Sequence, residues 1–172
     1  MKTFNKTFLV VLALVAVNFT SCKKDDDGGG GGSAAQGTVV AKVGGSSFES
    51  LEMTSAASET NAGGSTTITL QGSDTNGRAI FMIINQYDGP GTYEFSDSNV
   101  FVNATYVETN ISNPMDSQTW SAPYQNSGVV GEVKVSEKTD TNIKGTFHFK
   151  AKNMNDGSIK DITDGSFNLN LL

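Results

Sequence analysis

The chain has 172 residues, a formal net charge of −6, three prolines, nineteen glycines, one cysteine and one histidine. From Ser33 onward eight basic residues face fifteen acidic ones, a net of −7, which disfavours nonspecific nucleic-acid binding because that needs a basic face to neutralise phosphates. A single Cys excludes an internal disulfide, and a single His, His148, excludes a two-histidine zinc site.

Met1 to Thr7 carries Lys2 and Lys6, and Phe8 to Val17 is a ten-residue apolar run ending in Asn18-Phe19-Thr20-Ser21-Cys22. A positive start, a short apolar core and small residues before the cut describe a secretory signal. Ten residues fall short of the roughly 20 that span a bilayer. Residues 1–21 are therefore read as a signal peptide. The bland alternatives are an ordinary signal with an accidental Cys, or an uncleaved anchor.

Phe19-Thr20-Ser21-Cys22 resembles a lipobox, with Phe19 standing where Leu is usual. The resemblance implies cleavage before Cys22 and acylation of its sulfur. Lys23, Lys24, Asp25, Asp26 and Asp27 follow, and they resemble the export signal that sends Bacteroidetes lipoproteins to the outer leaflet. Taken only as charges, they are a solvated spacer. An EF-hand is rejected, because its loop needs alternating ligands and a distant Glu, and Gly28 to Gly32 cannot supply them. Residues 22–37 are read as a lipidated Cys and a glycine-rich flexible tether.

Residues 38–172 are read as one β-rich domain. Thr38 to Val43 is a strand, Gly44-Gly45 a tight hairpin turn and Ser46 to Glu49 its return. Leu51 to Ala57 is a strand or an irregular continuation. Asn61 to Gly64 turns into Ser65 to Gln71, which alternates as a half-buried strand. Asn76-Gly77 turns into Arg78 to Ile84, apolar on both parities and so expected to be covered on both faces.

After Asp88 to Gly91, Thr92 to Phe95 and Val100 to Thr109 are strands. Asn110 to Ser127 reads as the longest irregular stretch. Gly128 to Lys138 is a strand with Val129, Val133 and Val135 inward, and Ile143 to Asn153 follows. Asn155-Asp156-Gly157 turns into Ser158 to Thr163, and Asp164-Gly165 precedes a last strand, Ser166 to Leu171. About nine or ten short strands with regular turns predict an all-β antiparallel sandwich, with a lipocalin-like β-barrel as the alternative.

Ala41 to Phe48, Gly91-Thr92-Tyr93, Gly131 to Ser136, Ile143 to Phe149 and Ile162 to Phe167 together resemble a family of small Bacteroidetes lipoproteins, the DUF6252-like proteins. The resemblance covers most of Thr38 to Leu171. Its motifs punctuate β structure, so it implies compartment and fold and carries no activity.

The candidate sites are few. Trp120 and Tyr124, in the stretch with Pro114 and Pro123, are candidate ligand contacts, since exposed aromatics stack on sugars or peptides. The competing reading, preferred for the only Trp, folds them back over one end of the core. His148 shares its parity with Lys144, Thr146, Lys150 and Lys152, which predicts a surface His. Asp156, Asp161 and Asp164 read as turn and edge residues, not as facing carboxyls of a glycosidase. No phosphate loop is present, and no cofactor, metal or catalytic residue is expected.

The expectation is a non-enzymatic lipoprotein anchored in the outer membrane through Cys22 and facing the cell surface, or alternatively the periplasm. Its domain would bind a glycan, peptide or surface protein, or serve a structural role. A carrier of a small apolar ligand and an enzyme acting on glycans are the rival classes.

Overall fold

The computed structural model describes residues 33–172. The signal segment, Cys22, Lys23 to Asp27 and Gly28 to Gly32 lie outside the described residues. Eleven strands form: β1 Thr38–Val43, β2 Ser46–Glu49, β3 Ala56–Ala62, β4 Ser65–Ser73, β5 Arg78–Asn85, β6 Gly91–Ser96, β7 Val102–Glu108, β8 Gln118–Ala122, β9 Val129–Lys138, β10 Asn142–Lys152 and β11 Ile159–Asn170. The described residues hold no α-helix, only 3₁₀ turns at Glu52–Thr54 and Pro114–Asp116.

The strands make one antiparallel sheet in the order β2-β1-β11-β10-β8-β7-β5-β4-β3, with β9 pairing β10 and β6 pairing β9. β10 is shared: residues 143–149 pair with β9, and its last residue, Lys152, pairs with Ser121 of β8. The sheet curls until its two regions meet. Ala57 of β3 bridges Leu171 in parallel, and the Leu172 N–H donates to the Ala57 carbonyl at 3.0 Å.

Alternation produces the core. Ile68 and Leu70 of β4, Ile80, Met82 and Ile84 of β5 and Ala104 and Tyr106 of β7 turn one parity inward and are buried. Phe48, Phe95, Phe149 and Phe167 fill the interior, each fully buried. Burying one such side chain contributes about 1.5–3 kcal/mol, so alternation on this many strands specifies the register strongly.

Several expectations are corrected. β5 is only partly covered on its outer face: Ala79 there is buried, but Phe81 and Ile83 are each 37% exposed. Asn110 to Ser127 is not wholly irregular: β8 lies within it, with Trp120 and Ala122 inward. Val129 is exposed, because the β6–β9 register shifts between Phe95 and Ser96 and turns Val130 toward the core instead. Val100 is exposed as well, since β7 starts only at Val102.

The two segments drawn either side of Asp164-Gly165 are one strand. Phe147 pairs with Gly165 and Phe149 with Ile162, so β11 carries one extra residue there. Asp164 takes a positive φ of 51° at this bulge and pairs with Lys42 at 2.8 Å. The tether boundary also moves. Ala34 is buried and its N–H donates to Ser166 Oγ at 3.0 Å, while the Gly37 N–H donates to the Asn168 carbonyl at 2.7 Å. Residues 34–37 are thus docked on β11, because these backbone groups find partners there.

Candidate functional site

Trp120 is 4% exposed and belongs to the core, not to a recognition loop. Its ring lies 5.7 Å from that of Tyr106, and its Nε1 donates to Ser158 Oγ at 3.0 Å. Lys160 reaches over it: Nζ stands 4.7 Å from the Trp120 ring centroid and 2.7 Å from Glu108 Oε1. The Tyr106 hydroxyl donates to the same Glu108 oxygen at 2.9 Å. Burial, and then that acidic acceptor, push the Tyr106 phenol well above its ordinary range. The cluster ties β7, β8 and β11 together and leaves Trp120 little surface for a ligand. Tyr124 is half-buried beyond the end of β8, with Lys152 Nζ 5.7 Å from its ring.

His148 points outward from β10, with Glu132 of β9 directly opposite it as well as the lysines of its own strand. The flanking lysine-only environment read from β10 is therefore incomplete. Glu132, His148, Lys150 and Asp161 line a depression of about 310 Å³. Lys150 and Asp161 are 3.6 Å apart there. The three late carboxylates are dispersed: Asp156 accepts from the Ser158 N–H at 2.8 Å, Asp161 faces Lys150 and Asp164 faces Lys42. Among the described residues no group of three or more His, Cys, Asp or Glu is placed to hold a metal ion.

A different surface stands out. The outward parity of β3, β4, β5, β7 and β8 carries no formal charge. Cross-strand register builds it in rows: Gln71, Phe81, Thr105 and Ser121 lie side by side, and Ser58, Thr69, Ile83 and Asn103 form the next row. Thr67 and Asn85 continue it, with the Thr67 hydroxyl donating to Asn85 Oδ1 at 3.0 Å. Two exposed apolar side chains thus sit amid hydroxyls and carboxamides. The opposite side of the molecule contrasts with it: Lys134, Lys144, Lys150, Glu132 and Glu94 alternate over β6, β9 and β10. Sequence reasoning missed the uncharged face because it read β5 as covered twice. Its signal was the Thr/Ser/Asn/Gln parity of the strands either side.

At the far rim two tyrosines stack, Tyr87 and Tyr93, with centroids 5.7 Å apart. Burial, and then the hydrogen bond to Asp88, push the Tyr93 phenol up to about 12. Nearby, the Lys138 ammonium 2.7 Å from Glu59 holds that carboxyl below its usual value.

Residues 36–169 match the family model described as a domain of unknown function (DUF6252). The match spans most of the chain, and the chain belongs to that family. No curated protein and no solved structure matches it.

Proposed function

We propose that this DUF6252 member is a lipid-anchored, non-enzymatic binding protein of the outer membrane. Cys22 carries the acyl chains, Lys23 to Asp27 direct export, and the outer face around Phe81 and Ile83 recognises a neutral glycan. The observation that carries the reading is that face. Ring and branched aliphatic groups there are framed by Gln71, Thr69, Asn103 and Thr105, with no formal charge on the outward parity of five strands. An aromatic ring covers the apolar face of a sugar, and hydroxyl and carboxamide groups donate and accept toward its hydroxyls. A charged partner would find no complementary ion on this parity.

Two observations favour outside binding without catalysis over the rival classes. Aromatic rings fill the interior that a carrier would need open. The carboxylates Asp161 and Asp164 are each paired with a lysine, on β10 and β1 respectively. The reading is tested by affinity gel electrophoresis of the protein through a panel of neutral polysaccharides. Retardation by at least one polymer is expected, and Phe81→Ala should weaken it about tenfold. Equal retardation of wild type and variant, or none with any polymer, refutes the face. The anchor is tested separately: Cys22→Ala should leave the membrane fraction, and a variant that stays there refutes acylation at Cys22.

A further inference from the structure

The end of the domain at which the chain emerges from Ser33 carries a second exposed apolar surface. Leu51, Met53 and Leu172 ring a depression of about 680 Å³ together with Ala56, Glu52 and Asn170. Met53 and Leu172 are each 88% exposed. Methionine at the tip of a 3₁₀ turn contributes nothing to the core, and exposed apolar clusters of this kind mark contact surfaces.

The incoming chain runs along the rim of this depression. Gln36 Nε2 donates to Asn170 Oδ1 at 3.3 Å. Gly37, at φ 78°, lies so close to the 3₁₀ turn that a Cβ there would stand 2.5 Å from Glu52 Cγ. Asn170 and Glu52 both line the depression, so residues 36 and 37 bring the chain in beside it. Cys22 precedes Ser33 by eleven residues, a reach of at most about 40 Å at full extension.

We propose that this rim is the membrane-contacting end of the domain, and that its occupant is the lipid surface to which Cys22 is attached. The inference rests on the anchoring proposed above and adds an orientation to it. Leu51, Met53 and Leu172 seat in the interfacial layer, where apolar side chains bind in proportion to the area they bury. Met suits such a surface because its unbranched thioether adapts to an irregular neighbour. Glu52 is the one ionisable side chain lining the depression.

β3 runs from Ala56 at this rim to Ala62, roughly 20 Å farther along the strand. The Gly63-Gly64 turn therefore points away from the bilayer, while the uncharged face begins at the rim, where Gln71 pairs with Ala56 and lines a small hollow with Leu172, and extends away from it through Thr69 and Thr67.

Acylation blocks the Cys22 thiol, so in the lipidated full chain Met53→Cys or Ala62→Cys supplies one free thiol for a polarity-sensitive fluorophore. Both positions are exposed, and folding of each variant is checked by its β-sheet circular dichroism. The proteins are placed on vesicles of phosphatidylethanolamine and phosphatidylglycerol containing nitroxide-labelled lipid. The label at 53 should shift to the blue and be quenched at least twofold, with the label at 62 unchanged. If the chain floats with the vesicles while both labels remain water-like, or both are quenched alike, the orientation is wrong and the anchor stands. If Cys22 carries no acyl mass and the chain does not float, anchoring fails and the orientation falls with it.

Discussion

Phe147 and Gly165 oppose each other across β10 and β11, and two residues along Gly145 and Phe167 repeat the pairing with the roles exchanged. Each ring lies over the glycine facing it. A Cβ on Gly165 would stand 2.6 Å from Phe147 Cδ2, and one on Gly145 would stand 2.5 Å from Phe167 Cζ. Aromatic rings thus cover the gaps that glycine leaves in neighbouring strands, and their centroids lie 6.5 Å apart. The Gly145 position is closed from the other side by the Lys134 carbonyl.

Gly145→Ala must therefore move backbone as well as a ring. Overpacking of this kind costs about 1–3 kcal/mol, and more where backbone resists. The urea midpoint should fall accordingly, and an unchanged midpoint would show that the strands yield freely.

Trp120 links β8 to the β10–β11 hairpin through Ser158 and lies under Lys160. Trp120→Ala should cost about 3–5 kcal/mol, as for other large aromatics removed from a core. Ser158→Ala removes the acceptor of the indole N–H together with the Ser158 side chain's hydrogen bond to Asp156, and should cost about 1–3 kcal/mol. As the chain has one Trp, its fluorescence reports both unfolding and burial. Emission at a water-exposed wavelength in the native state would contradict the packing.

Asp74 organises the β4–β5 turn, accepting from the Asn76 and Arg78 N–H groups at 2.9 Å each and from Arg78 Nε at 2.7 Å. Burial pushes its carboxyl up, but these hydrogen bonds outweigh burial and leave it below its ordinary value. The stabilisation is therefore present above about pH 4, the unfolded value, and is lost as pH falls through the lower folded value. Asp74→Ala should cost about 1.5–3 kcal/mol at pH 7. The gap from wild type should narrow progressively below pH 4 in urea titrations; a gap independent of pH would contradict the assignment.

Tyr93 gives the opposite, alkaline dependence. Its folded value of about 12 lies above the ordinary value near 10, so its contribution is complete below pH 10 and lost as pH rises toward 12. Tyr93→Phe should flatten the stability profile between pH 10 and 12. Equal slopes for the two proteins would place the alkaline loss elsewhere.

The strands were legible where hydrophobic period two is unbroken. β4, β7 and β10 each alternate over several residues, and their inward parity could be read directly. Bulges were not legible. The extra residue at Asp164 turns two apparent strands into one, and the shift opposite Phe95 exchanges Val129 for Val130, effects that depend on the partner strand. β8 was hidden because five residues between Pro114 and Pro123 offer only two inward side chains. The uncharged face was missed for a related reason. Phe81 and Ile83 are as apolar as their buried neighbours, and only sheet order tells that nothing packs over them.

Nuclear magnetic resonance mapping of a neutral oligosaccharide titrated into the protein tests the recognition face most directly. Shifts should concentrate at Thr69, Phe81, Ile83, Asn103 and Thr105 and leave Lys134, Lys144 and Lys150 in place. Shifts centred on those lysines or on the interior residues Phe95 and Phe149, or no shifts with any neutral sugar, would contradict recognition by the uncharged face.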